Sequence, residues 1–137
     1  MRRGSTVVGI QGKDCVVLAV EKRAIAKLQD ARTIRKILSI DDKTVLAFAG
    51  LNADARVLIQ FMRSQGLSYR LTLEDAPSTD WIARQLAATQ QQYTQQPGVR
   101  PFGIATLIAG FDANLDTPVL YQTDPAGTHS RWKAQTI

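Results

Sequence analysis

The chain has 137 residues, 45% of them hydrophobic, with a formal net charge of +5 and a pI of about 9.7. This length fits one globular domain that buries roughly two-thirds of its unfolded surface. The composition excludes an internal disulfide, since Cys15 is the single cysteine, and the sequence contains neither the ~20-residue apolar run of a membrane span nor the apolar core of a signal peptide.

Apolar runs, either alternating or continuous, predict the strands. The predicted strands are residues 6–11, 15–20, 34–40, 44–49, 104–111, 119–123, 128–133 and 135–137. The continuous run CVVLAV is typical of a strand covered on both faces, so we expect Cys15 to be a buried, unreactive thiol. Residues 21–31 are charged and mixed, and they predict an irregular loop.

A first helix is predicted directly after Gly50, with Asn52 as its cap. Its apolar stripe has spacings of four, three and four, and it consists of Leu51, Ala55, Leu58 and Met62. Gly66 and Ser68 are expected to end this helix, and residues 71–73 to be extended.

A second helix is predicted after Pro77, with Ser78 or Thr79 as its cap. Its stripe has the same spacing and consists of Ile82, Leu86, Thr89 and Tyr93. The glutamines at residues 90–92 are interpreted as an exposed polar end. Strands, two helices and further strands, joined largely by hairpin turns, predict an α+β layered domain with mainly antiparallel sheets.

The sequence offers few groups for catalysis or metal binding. One cysteine and one histidine, His129, cannot make a zinc site, so we expect no metal and no cofactor. The cations are interspersed with acids and do not alternate with aromatics, so we expect no nucleic-acid partner. A basic nucleic-acid-binding domain is an alternative hypothesis, and it would require binding that weakens steeply with salt.

One catalytic arrangement is conceivable, because Ser5 or Thr6 near the start of the chain could act as a nucleophile with Glu21 and Lys36. Such chemistry needs the nucleophile's own free amine, so cleavage after Gly4 would be required for Ser5. Lys36 has a second possible role: it could lie beside the free N–H groups of the helix that follows Gly50. Its alternative role is an internal ion pair with Asp41 or Asp42.

Several segments together closely resemble a proteasome α-subunit, and they span essentially the whole chain. They are VVLAVEKR, KLQDARTIRKI, FAGLNADAR, QQYTQQPGVRPFG and LYQTDPAGT. The segment from Lys27 to Ile37 looks most like the α-type-7 class. The resemblance implies a four-layer α-β-β-α sandwich of the N-terminal-nucleophile hydrolase type. It also implies a non-catalytic subunit of a seven-membered α-ring, stacked on the β-subunits, in ubiquitin-dependent protein degradation.

The resemblance also implies a binding site and a location. In the family, the equivalent of Lys36 lines a pocket that receives the C-terminal carboxylate of regulatory ATPases or other activators, and Gly4 and Leu51 match further positions of that pocket. We expect a cytoplasmic and nuclear location and no membrane partner. Because family members have a segment before Met1 and helices after Ile137, we expect residues 1–137 to be a single, incomplete α-subunit domain of a shortened form.

Overall fold

The computed structural model describes residues 6–21, 37–41, 43–50, 52–75, 77–95, 104–112 and 117–137. Eight strands and two helices are present in this part of the chain. They are β1 (Val7–Gln11), β2 (Val16–Val20), β3 (Ile37–Asp41), β4 (Thr44–Gly50), α1 (Asn52–Leu73), α2 (Thr79–Gln95), β5 (Ile104–Asp112), β6 (Thr117–Thr123), β7 (His129–Arg131) and β8 (Ala134–Thr136).

The strands form a small sheet with the order β2-β1-β8 and a large sheet with the order β3-β4-β5-β6-β7. Every pairing within these sheets is antiparallel, which confirms the expectation from the hairpin turns. The two helices pack on one face of the large sheet, and the small sheet packs on its other face. The described residues therefore form an α+β domain of three layers.

The main core lies between the helices and the large sheet. Its largest fully buried side chains come from both helices and from strands β4 and β5, including Phe48, Leu58, Met62, Leu86 and Ile108. Burial of Ala55, Leu58 and Met62 confirms most of the stripe predicted for α1, and burial of Ile82 and Leu86 confirms half of that for α2. Leu51 and the side chain of Tyr93 lie outside the described residues.

A second core lies between the two sheets, where Val7 packs with alanine and leucine side chains of β4, β5 and β6. The sheets approach closely at Gly9, because a Cβ added there would lie 2.9 Å from Leu120 Cδ1 and 3.1 Å from Leu18 Cδ2. A larger residue at this point of β1 would therefore require the Leu120 side chain to shift.

The outer face of the small sheet carries exposed apolar side chains. Ile10 is 54% exposed and Val17 is 57% exposed, and Val8 lies on the same face. The prediction that residues 15–20 are covered on both faces was therefore wrong for the described part of the chain. Cys15 is also exposed, because it precedes β2 in the turn and does not point into the inter-sheet core.

Helix α1 is longer than the sequence pattern predicted. It continues without interruption through Gly66 and includes residues 71–73, so the expected end at Gly66 and the extended stretch were both wrong. Tertiary contacts explain the difference, since Arg70 forms an ion pair with Asp41 and the Tyr69 ring packs 4.7 Å from the Trp81 ring. These contacts outweigh the roughly 1 kcal/mol cost of a glycine within a helix.

Helix α2 begins as predicted. The backbone N–H of Trp81 donates to Ser78 Oγ, so Ser78 is the cap. The glutamine cluster divides, because Gln91 and Gln92 are exposed whereas Gln90 is fully buried. Gln90 Nε2 donates to the Ile104 carbonyl at 3.1 Å, a long-range contact that satisfies the amide nitrogen and that a local pattern does not indicate.

The predicted strand at residues 128–133 is only partly a strand. It contains β7, and residues 132–133 then connect β7 to the small sheet. The N–H of Trp132 donates to the Leu120 carbonyl in the large sheet, and the N–H of Gln11 donates to the Lys133 carbonyl from the small sheet. The chain thus changes sheets at Trp132 and Lys133, and β8 pairs with β1.

Neither described helix is long and apolar enough to cross a membrane.

Candidate functional site

The three residues predicted to line a carboxylate-binding pocket, Gly4, Lys36 and Leu51, lie outside the described residues. The structure does describe chain segments next to each of them. Val7 follows Gly4 closely, β3 begins directly after Lys36, and β4 ends directly before Leu51. The predicted site can therefore be judged by whether these neighbours lie together.

The described neighbours meet in one region of the molecule. Val7 belongs to the same buried cluster as Ala47 and Ala49, which lie near the end of β4. Ile37, the first residue of β3, pairs with Ala47 across the hairpin. The starts of β1 and β3 and the end of β4 are thus close to one another, as the predicted pocket requires. The contacts of the three pocket residues themselves stay a prediction.

Helix α1 begins immediately beyond this region, at Asn52. The first N–H groups of a helix have no partner within it, and they give this end a partial positive charge. Gly50 has a φ of 129°, a conformation that favours glycine and turns the chain from strand into helix. Asp54 places a buried carboxylate in the first turn of this helix.

Two arginines of α1 contact the part of β3 that leads away from this region. Arg63 Nε donates to the Ser39 carbonyl at 3.0 Å, and the Arg70 guanidinium forms an ion pair with the Asp41 carboxylate. The pair is partly shielded from solvent, with the Asp41 side chain 11% exposed and that of Arg70 39% exposed. Strand β3 is thereby attached to α1 at two points.

This ion pair bears on the internal alternative for Lys36. Asp41 was one of two candidate partners for the lysine, and the structure gives it Arg70 as a cation. The extended strand separates the Cα atoms of its two end residues, Ile37 and Asp41, by about 13 Å. Lys36 and Asp42 lie outside the described residues, so the internal ion pair of Lys36 stays a prediction.

Part of the alternative catalytic arrangement is also brought together. The N–H of Glu21 donates to the Thr6 carbonyl at 3.0 Å, so the two residues are adjacent where β1 begins and β2 ends. Both residues are exposed. Ser5 and Lys36, the remaining members of that arrangement, lie outside the described residues.

The turn after β6 contains a carboxylate with a perturbed pKa. Burial of Asp124 opposes its ionisation, but hydrogen bonds from Thr128 and from the Ala126 and Gly127 backbone outweigh this and lower its pKa. The side-chain hydroxyl and the N–H of Thr128 both donate to the carboxylate. The resulting turn rests on α2, which places this group in a structural contact and not beside the predicted pocket.

No group of three or more potential metal ligands occurs within the described ranges. Arg63 and Arg70 were not among the residues predicted from the sequence to contact β3, although a signal was present. The two residues are seven apart, which places them on one face of a helix two turns apart. That signal was hidden by the expectation that the helix ended at Gly66.

Comparison with known proteins gives a match to the proteasome subunit family over residues 1–137. The chain is 58% identical over 137 residues to proteasome subunit alpha type-7 of Dictyostelium discoideum, and 57% identical over 134 residues to alpha type-7-B of Oryza sativa subsp. indica. It is 54% identical over 138 residues to alpha type-4 of Saccharomyces cerevisiae. These alignments cover 98–100% of this chain and 54% of each relative, so the chain spans about half the length of these relatives.

Proposed function

This chain belongs to the proteasome subunit family, and we propose that it is a non-catalytic structural subunit of the α-ring of the proteasome core particle. The observation that carries the proposal is 54–58% identity, across essentially the whole chain, to relatives that are named as alpha-type subunits. The proposed partners are the other α-subunits of a seven-membered ring and the β-subunits. The proposed location is the cytoplasm and the nucleus, where the particle would act in ubiquitin-dependent protein degradation.

The finer architecture is part of the same proposal. We propose a four-layer α-β-β-α sandwich of the N-terminal-nucleophile hydrolase type, in which a second helical layer covers the outer face of the small sheet. The exposed apolar side chains of Val8, Ile10 and Val17 support this, because a face of this composition is stabilised by burial.

The α-ring subunit would also receive activator proteins at Lys36, with Gly4 and Leu51 lining the same pocket. A lysine ammonium near free backbone N–H groups suits a terminal carboxylate, since charge-assisted hydrogen bonds are stronger than neutral ones. The meeting of the starts of β1 and β3 with the end of β4 supports a pocket built from these three segments.

Assembly tests the structural role directly. The chain is co-expressed with the remaining α-subunits of one organism, and native mass spectrometry is used to identify it within a seven-membered ring. A matched control is Leu58→Asp, which places a charge in the core and should prevent incorporation. Absence of the wild-type chain from rings in a host where the Dictyostelium relative does assemble would contradict the proposal.

The docking role is tested with Lys36→Ala in the assembled particle. We expect binding of a fluorescent peptide with a free terminal carboxylate to weaken by about tenfold, as is typical when one partner of a charged hydrogen bond is lost. Lys13→Ala is the matched control, because Lys13 lies in the turn at the other end of β1 and the change of net charge is identical. Equal affinities for the wild-type and Lys36→Ala particles would show that Lys36 does not bind the carboxylate.

A second candidate function is an N-terminal-nucleophile hydrolase, which draws on the backbone contact between Thr6 and Glu21, whereas the similarity to alpha-type subunits supports the structural role over it. The intact mass of the purified chain distinguishes it from the structural role. Retention of residues 2–4 excludes a free amine on Ser5 or Thr6. Loss of those residues together with peptidase activity that Thr6→Ala or Ser5→Ala abolishes would establish the enzyme.

A further inference from the structure

Helix α1 has a second apolar face in addition to the one that packs in the main core. The buried face includes Ala55, Leu58 and Met62. A surface helix of a globular protein normally has one apolar stripe and a polar opposite side. The second stripe of α1 has side chains that are between 42% and 77% exposed, and it consists of Val57, Phe61, Leu67 and Leu71. A contiguous exposed stripe of this kind indicates a surface that binds another protein.

The exposed stripe is symmetric about Ser64. Val57 and Leu71 each lie seven residues from Ser64, and all three are exposed. Phe61 and Leu67 each lie three residues from it. The five positions fall within about 120° of the helix circumference, since each residue turns the helix by about 100°. A face that reads the same from both ends is self-complementary, which is what a two-fold contact between identical chains requires.

The pairing that this symmetry predicts joins apolar side chains to apolar side chains. When two copies of α1 cross antiparallel at Ser64, Val57 of one copy approaches Leu71 of the other. Phe61 of one copy approaches Leu67 of the other in the same way. Because serine is small, the two helix axes can approach at the crossing point to the distance of about 8–10 Å that is usual for packed helices.

Charges at the ends of the stripe are also complementary. Arg56 and Glu74 are exposed and lie 18 residues apart, so about five helical turns separate them and they follow the same edge of α1. An antiparallel pairing places Arg56 of each copy beside Glu74 of the other, whereas a parallel pairing would place arginine beside arginine. Exposed charge pairs add little affinity, but they select the orientation of the partner.

We propose that the exposed stripe of α1 is a homodimerisation surface, on which a second copy of this chain binds antiparallel with Ser64 at the two-fold axis. The inference goes beyond the proposed α-ring function, because it concerns two copies of one chain and rests on α1 alone. The stripe from residue 57 to residue 71 is about 21 Å long. A single helix pair of this length belongs to the weak interfaces, which bury less than about 1,200 Å², so we expect a dissociation constant on the order of 10 µM.

Sedimentation equilibrium of the purified full chain over a range of concentrations measures this association. We expect a monomer–dimer equilibrium that Phe61→Ser with Leu71→Ser weakens by about tenfold or more. The matched control is Ile10→Thr with Val17→Thr, which removes exposed apolar surface from the small sheet and should leave the dimer unchanged. A monomer at every concentration would overturn the inference and assign the stripe to a different protein. Loss of association in the small-sheet variant but not in the α1 variant would overturn it as well.

A charge exchange tests the orientation. Arg56→Glu and Glu74→Arg should each weaken the dimer by about fivefold, because each places like charges side by side at both ends of the contact. The variant with both substitutions restores the opposite charges and should bind nearly as the wild type does. Additive weakening in that variant would contradict the antiparallel pairing.

Cross-linking locates the two-fold axis. In a Cys15→Ser chain, Ser64→Cys brings two thiols within reach of a disulfide only if residue 64 lies on the axis. Thr72→Cys is the control, because this exposed position of α1 would lie about 24 Å from its own copy in the dimer. We expect oxidised glutathione to link the Ser64→Cys chain alone, and equal linkage of both variants or of neither would overturn the inference. These measurements use no other subunit, so their outcome is independent of assembly into an α-ring.

Discussion

The carboxylate of Asp124 illustrates how a single residue fixes a turn. Its pKa is lowered because the hydrogen bonds that stabilise the ionised form outweigh the opposing effect of burial. The N–H of Gly127 also donates to the Asp124 carbonyl, and the N–H of Asp124 donates to the Thr128 carbonyl. The turn that links β6 to β7 is therefore organised by one side chain and by its backbone.

This arrangement predicts a pH dependence of stability for Asp124→Asn. A carboxyl group with a lowered pKa in the folded state contributes stability above its unfolded pKa, near 3.8, and loses it as pH falls through the folded value. We expect the wild type to exceed Asp124→Asn in free energy of unfolding by about 0.5 kcal/mol at pH 6, because solvent screens these exposed hydrogen bonds, with the difference shrinking below about pH 4. Denaturant unfolding at several pH values measures it.

Asp14→Asn is a suitable control for that measurement, because Asp14 is an exposed residue in the turn before β2 and the change of charge is the same. A difference between the wild type and Asp124→Asn that does not vary between pH 3 and pH 6 would argue against an ionised Asp124 as the organising group.

Other single residues show the limit of prediction from sequence. The exposure of Cys15 was missed because a continuous apolar run does not reveal which of its residues precedes the strand. Burial of Gln90 depends on the Ile104 carbonyl, 14 residues away. In both cases the burial of the side chain is decided by packing between elements. The periodicity of one segment does not reveal such packing.

At the scale of elements, strands were predicted well and helix ends less well. Continuous burial of β5 and the alternation of β1 follow from hydrophobic pattern alone, because the sheet itself imposes the period. The end of α1 does not follow from the pattern. Gly66 is a strong local signal against helix, and the contacts of α1 with β3 and α2 override it. The helix ends instead at Leu73, where Glu74 has a φ of 55° and its N–H donates to the Arg70 carbonyl.

Alanine substitution should therefore have opposite effects on stability at two glycines, Gly66 and Gly127. At Gly66 an added Cβ would meet only Pro77 Cγ at 4.0 Å, so Gly66→Ala should stabilise the chain by about 0.5–1 kcal/mol through the unfolded state. At Gly127, with a φ of 93°, the Cβ would lie 2.5 Å from Gln91 Cβ, so Gly127→Ala should destabilise by about 2–4 kcal/mol.

Thermal unfolding followed by circular dichroism distinguishes these two variants. The pair is internally controlled, because the substitution is identical and only the surroundings differ. Destabilisation by Gly66→Ala would mean that α1 is interrupted near that residue, which would also separate Arg63 from Arg70 on the helix.

At the scale of the whole molecule, the sequence predicted an α+β layered domain, and the described residues form three of the proposed layers. The candidate site was less accessible to prediction. Its three predicted residues belong to separate segments, so whether they meet depends on how the sheets stack and not on spacing along the chain. The resemblance predicts Lys36, Gly4 and Leu51, which stay a prediction, whereas the two arginine contacts with β3 emerged only from the folded arrangement.

The last prediction follows from the arrangement of the layers and concerns the outer face of the small sheet. Ile10→Thr with Val17→Thr replaces two side chains that are each more than half exposed, while threonine keeps the preference for strands. We expect the double variant to lower the fluorescence of an apolar dye bound to the purified chain. Its free energy of unfolding should stay within about 0.5 kcal/mol of the wild type, because little buried surface is lost.

The control is Val7→Thr, a fully buried position between the sheets, which should destabilise the chain by about 1–3 kcal/mol because its hydroxyl is buried. The four-layer proposal adds a stricter requirement. When the wild-type chain is joined to the segment that follows the matched region in the Dictyostelium relative, dye fluorescence should fall to the level of the double variant. If the joined chain binds as much dye as the wild type, no second helical layer covers this face and the sandwich proposal is wrong.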